Sequence, residues 1–220
     1  MLYWVYSSWR PILVFSKTSF KELFGFGSFM LLSSLINTFC NNLNGLLIGK
    51  FFNASSMGYF TQAKKLEDVF STSIETVVSQ VTYPVLVEVK DNYERLRNIL
   101  KQFNSFLLYV VTPLMMLLRL LSVPIIEILL GEQWLDAAPY LEILAFQGIA
   151  ICLQGVNYNA IASIGCSKVL FQSTIIKRSV SIALIILGMF LGGVKGILWG
   201  MTISSYFICL YNSALIHKYI

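Results

Sequence analysis

The sequence predicts an all-α integral membrane protein, a bundle of six transmembrane helices. Of its 220 residues, 56% are hydrophobic and only 12% are charged, whereas soluble domains carry about 25% charged residues. Mean hydropathy is +0.71. Residues 23–49, 143–167 and 196–216 contain no Asp, Glu, Lys or Arg, and each run reaches the roughly 20 residues that a spanning helix needs.

Composition also excludes several chemistries. The single histidine, His217, stands beside the carboxyl terminus, so neither a histidine-based triad nor a histidine-cluster metal site can be built. Cys40, Cys152, Cys166 and Cys209 are scattered singly through apolar runs and read as small buried hydrophobes, not as a disulfide framework or zinc site. The net charge of +5 fits the Lys and Arg excess of cytoplasmic loops in membrane proteins, and no nucleic-acid partner is expected. There is no G-x-x-x-x-G-K-[ST] loop, and Gly25-Phe26-Gly27 lacks a third glycine and a βαβ context, which argues against ATP hydrolysis. No cofactor is expected. Asn53-Ala54-Ser55 matches a glycosylation sequon, a pattern too short to carry weight.

Residues 1–22 place Trp4, Trp9, Arg10, Lys17 and Lys21 around a short apolar stretch. Aromatics beside cations fit an interfacial segment and the end of a preceding helix, leading through a short surface helix from Ser19 into the first span. Spans are expected at about 23–49, 64–88, 102–121, 137–163, 169–191 and 196–216, together forming one lobe over residues 23–220. Residues 51–59 read as a polar connection. Residues 124–130 read as a short interfacial helix within the loop 122–136.

Lys and Arg then fix the orientation. With the amino terminus in the cytoplasm, eleven of the sixteen cations fall on the inner side, among them Arg10, Lys90, Arg97, Lys168 and Lys218. Both termini are expected inside.

Polar stripes mark the spans. Ser33, Asn37, Asn41 and Asn44 recur at helical spacing, with Asn42 beside them. Amides in hydrocarbon need partners or water, so this face either joins helices by hydrogen bonds or looks into an aqueous cavity. Ser71, Glu75, Ser79 and Thr82 form a second stripe, and Glu75 is either a proton- or cation-coupling acid or a structural partner of a neighbouring helix. Glu127 and Glu142 lie nearer span ends and can reach the interface.

Lys50, Lys64 and Lys65 form an electropositive vestibule if they share a cavity; alternatively they are headgroup lysines neutralised by Glu67 and Asp68. Lys177 and Arg178 sit inside the fifth span, so at least one must face the interior or reach back to the interface. Gly188, Gly192, Gly196 and Gly200 recur every four residues, a step that permits close helix contact, with Gly192 and Gly193 in the turn itself. Pro84, Pro113 and Pro124 bend or end helices.

Three segments in fixed order are specific together: residues 21–68, "KELFGFGSFMLLSSLINTFCNNLNGLLIGKFFNASSMGYFTQAKKLED", residues 81–100, "VTYPVLVEVKDNYERLRNIL", and residues 128–144, "ILLGEQWLDAAPYLEIL". They resemble the lipopolysaccharide O-antigen and polysaccharide flippase family of the multidrug, oligosaccharidyl-lipid and polysaccharide exporter superfamily. The resemblance fades after Gly165. It implies a two-lobe transporter of which this sequence resembles the second, carboxyl-terminal six-helix lobe. It further implies that undecaprenyl-diphosphate-linked oligosaccharides are flipped across the bacterial inner membrane by alternating access, without covalent catalysis.

On that reading the cavity candidates are Asn37, Asn41, Asn44, Lys50, Lys64, Lys65, Lys177 and Arg178, with Glu75 as the coupling candidate. The expected partners are the bilayer, a lipid-linked oligosaccharide, and a first lobe or a second copy that completes the cavity. The competing readings are a transport-inactive fragment and a multidrug exporter of the same superfamily.

Overall fold

The computed structural model describes residues 17–89, 92–163 and 167–219. The expectations for residues 1–16, including Arg10, and for Lys90 lie outside the described residues. Among the described residues the chain is helical throughout, with no strand.

Helix α1, Lys17–Phe51, is continuous, where the sequence suggested a surface helix followed by a separate span. No proline or cap interrupts it, and isolated glycines such as Gly27 are tolerated within a helix. The predicted connection at 51–59 shrinks to residues 52–53, because Asn53 adopts extended geometry and caps α2, Ala54–Glu88, by accepting from the Ser56 N–H at 2.8 Å. Asn92 caps α3, Tyr93–Leu120, in the same way, accepting from the Arg95 N–H at 3.0 Å. That cap starts α3 well before residue 102 and carries its charged first turns beyond the apolar part.

Helix α4, Ser122–Leu130, ends at Gly131, whose φ of 92° favours glycine. A 3-10 turn, Glu132–Ala137, then leads into α5, Ala138–Ser163. The edge of Trp134 meets the Tyr59 ring with centroids 6.0 Å apart, which ties this turn to the start of α2. The last helical stretch, Ser167–Tyr219, is broken at Gly192 and Gly193, where φ is −145° and 58°. It therefore folds back as an antiparallel pair, α6 (residues 167–191) and α7 (residues 194–219).

Helix α5 is the hub, packed against α2, α3 and the α6–α7 pair, while α1 lies along that pair and more lightly against α2. Lipid tails are as apolar as leucine, so helices in a bilayer associate through close contact and polar bonds. Ala145, Gly148, Ala150, Cys152, Gly155 and Ala160 are accordingly buried along α5. Asn104 on α3 donates to Asn157 at 3.0 Å, and Gln147 and Gln154 donate to the Ser205 hydroxyl and carbonyl on α7 at 3.2 and 2.9 Å.

Among the described residues, three stretches are long and apolar enough to cross a membrane: Tyr93–Leu120, Glu132–Ser163 and Phe171–Ile216, the last containing both arms of the glycine turn. Helices α1 and α2 have the length, 35 residues each, but carry the polar stripes. The chain is an all-α, multi-pass membrane protein.

The α6–α7 contact is made by backbone. A Cβ on Gly188 or Gly196 would overlap the carbonyl of the other, and one on Gly200 would lie 2.7 Å from the Leu184 carbonyl oxygen. Gly192 has open space around it. Overpacking costs about 1–3 kcal/mol, so Gly196→Ala is expected to lower the thermal unfolding midpoint in detergent by about 5 °C. Gly192→Ala, followed by the same melt, is expected to change it little.

Candidate functional site

Two adjoining cavities open among α1, α2, α5, α6 and α7. The larger has a volume of about 930 Å³ and the smaller about 210 Å³. Glu75, Ile151, Gln154, Arg178 and Ile208 line both, so the two form one space with Glu75 and Arg178 at the junction.

The cations of α6 diverge because consecutive helical residues point about 100° apart. Lys177 is buried and donates to Asn212 Oδ1 on α7 at 2.8 Å. Arg178 donates from Nε to Asn37 Oδ1 on α1 at 2.7 Å. Both bonds go to neutral amides, which orient the cations. At 1.5 Å per residue these groups stand about 20 Å along α6 from the glycine turn, within the hydrocarbon thickness of about 30 Å.

Helix α2 presents two polar stripes. The first, Glu67, Ser71, Glu75 and Thr82, faces α5. Glu67 is fully buried, accepts from the Ser71 hydroxyl and pairs with Lys64 at 2.5 Å. Its seat on α5 is Gly148, where a Cβ would come within 3.0 Å of Glu67 Oε1. Two turns further on, Glu75 lies over Gly155, where a Cβ would meet its Cγ at 2.9 Å. The second stripe, Thr61, Lys65 and Asp68, lines the larger cavity. Lys64 lies on the border of the two and reaches Asp68 as well, at 2.9 Å.

The structure brings together most of the residues expected at a site. Asn37, Glu75, Lys177 and Arg178 line the smaller cavity; Asn44, Lys64, Lys65, Glu75 and Arg178 line the larger. Lys64 is not a bare cavity cation, since Glu67 and Asp68 both engage it. Lys50 is exposed at the end of α1 with its ammonium 5.9 Å from the Phe51 ring centroid, and it does not line either cavity. The Asn41 side chain lies outside the described residues.

Beyond the residues expected at the site, the structure adds buried Glu67 and polar groups of α5 and α7. Two preceding lysines give Glu67 the look of a headgroup acid, yet it stands four residues before Ser71 and extends that stripe by one turn. Gln147 and Gln154 are seven residues apart, and Ser205 and Asn212 likewise, a spacing that places each pair on one helical face; all four line the cavities.

The described helices thus form a multi-pass bundle around a polar cavity lined by Lys64, Lys65, Lys177 and Arg178. A family model described as "polysaccharide biosynthesis protein" matches residues 1–139, more than half of the chain, and the chain belongs to that family. Among similar proteins, the teichuronic acid biosynthesis protein TuaB of Bacillus subtilis (strain 168) is 31% identical over 173 residues, covering 78% of this chain and 36% of TuaB. The lipopolysaccharide biosynthesis protein WzxC of Escherichia coli (strain K12) is 25% identical over 213 residues, covering 92% of this chain and 42% of WzxC. The succinoglycan biosynthesis transport protein ExoT of Rhizobium meliloti (strain 1021) is 23% identical over 216 residues, covering 97% of this chain and 42% of ExoT. The chain thus spans about two fifths of the length of these relatives.

Removing one partner of a buried ion pair strands the other charge, at about 3–5 kcal/mol. Lys64→Met is therefore expected to lower the unfolding midpoint by roughly 10 °C. Lys64→Met combined with Glu67→Gln should restore much of that loss; a double-mutant cycle of thermal melts measures the coupling.

Proposed function

We propose that this chain forms one lobe, residues 23–220, of a transporter that moves polyprenyl-diphosphate-linked oligosaccharide units across the bacterial inner membrane by alternating access. The observation that carries the reading is the pair Lys177 and Arg178, held by Asn212 and Asn37 at membrane depth in a cavity of joined pockets. A diphosphate suits this pair: a guanidinium matches two phosphate oxygens and an ammonium adds a point charge. Sugar hydroxyls suit the amides and hydroxyls of Asn44, Gln147, Gln154 and Ser204, which line the larger pocket. The polyprenyl tail stays in lipid, and no bond of the substrate is made or broken.

The names of the relatives support the substrate class: TuaB, WzxC and ExoT are each named for biosynthesis of a polysaccharide, and ExoT for transport. In this reading six spans place both termini in the cytoplasm, and a further lobe or a second copy closes the open side of the cavity. Glu75, at the junction of the pockets, is the coupling residue, because an acid there meets both the ligand and water entering from either side.

The test is polymer export in the native strain deleted for the gene and complemented with variants of the full chain, with membrane abundance measured alongside. Lys177→Gln with Arg178→Gln is expected to reduce export at least about tenfold, equivalent to about 1.4 kcal/mol of lost interaction, while Lys50→Gln exports normally. Export at the wild-type level in the double variant would overturn the reading. Unchanged export in Glu75→Gln would remove that residue from coupling alone.

A further inference from the structure

Lys64 holds two carboxylates of unequal standing. Glu67 is fully buried against α5, and its bond to Lys64 cannot open without stranding a charge in the core. Asp68 has a side chain 46% exposed on the wall of the larger cavity, so its oxygens can turn to water at little cost. Lys64 itself is 24% exposed and lines the same cavity. An ammonium has three N–H donors; Glu67 and Asp68 each engage Lys64, which leaves one direction for a cavity ligand. Lys65 stands exposed beside it on the same wall.

We infer that Asp68 is an internal competitor for the anionic ligand, a carboxylate resting on Lys64 that a phosphate or diphosphate group displaces on entering the larger cavity. The inference rests on the reading of that cavity as the place where an anionic lipid-linked sugar binds. A singly charged ligand carboxylate gains little by replacing Asp68, because it offers Lys64 the same group. A diphosphate gains more: it brings greater charge to Lys64 while Asp68 retires into water. Asp68 therefore sets the charge a ligand must carry and acts as a specificity-determining residue. Glu67 keeps Lys64 anchored throughout, so the exchange needs no movement of α2.

The test measures binding of inorganic diphosphate, by calorimetry, to the full-length native protein in lipid nanodiscs. Asp68→Asn is expected to lower Kd about three- to fivefold, the scale of an exposed i,i+4 ion pair together with relief of like-charge repulsion. The gain should vanish when Asp68→Asn is placed in the Glu67→Gln, Lys64→Gln background, in which the buried carboxylate is neutralised along with its cation. An unchanged or higher Kd in Asp68→Asn, a gain that survives in that background, or no binding to either protein would overturn the inference. The Arg178→Gln variant separates the two readings: an unchanged Kd there counts against the cavity as the diphosphate site, whatever Asp68→Asn shows.

Discussion

A polar or charged side chain at the depth of a bilayer must be met by other protein groups or by enclosed water, because hydrocarbon offers it nothing. Most of the internal architecture of this protein follows from that requirement. Asn37 of α1, Glu67 and Glu75 of α2, the glutamines of α5 and the two cations of α6 turn inward, and several of their partners come from other helices. Asn37 meets Arg178, Asn104 meets Asn157, Gln154 meets the carbonyl of Ser205, and Lys177 meets Asn212. Each such bond fixes the rotation of two helices about their axes, a specificity that apolar packing in lipid cannot supply.

Helix α5 makes this possible because it is narrow where its neighbours are bulky. Gly148 and Gly155 receive the carboxylates of Glu67 and Glu75, and Cys152 between them donates to the Ser71 carbonyl at 3.8 Å. The two glycines are seven residues apart and the two acids eight, two helical turns in each case, so α2 and α5 run in register over that length. The outward faces carry the opposite logic. Tyr109, Leu120, Phe190 and Leu191 are among the most exposed side chains, as expected where the solvent is lipid and not water.

The helices were legible in the sequence wherever a charge-free run was bounded by a clear stop. The glycine turn at Gly192 and Gly193 and the approach of Gly188 to Gly196 were readable from spacing alone. Boundaries slipped where a cap mattered more than hydropathy: Asn53 and Asn92 each begin a helix in a stretch whose polarity suggested a loop. At the site, Asn37, Asn44, Glu75, Lys177 and Arg178 were legible because amides and charges are conspicuous in apolar spans. Lys50 lines neither cavity, because a place at the end of a charge-free run says nothing about which way the end of α1 faces. Glu67 was hidden for a related reason, since two adjacent lysines made a buried acid look like a headgroup residue. Pairings such as Arg178 with Asn37 join residues from opposite ends of the chain and belong to the fold, not to any local pattern.

The charge balance of the interior is uneven by position. The one fully buried acid, among the described residues, has a lysine of its own at i−3, which compensates its charge. Lys177 and Arg178 donate to amide oxygens of α7 and α1, whose dipoles steady the cations. Asparagine at positions 37 and 212 therefore ties α6 to both α1 and α7 through its two cations.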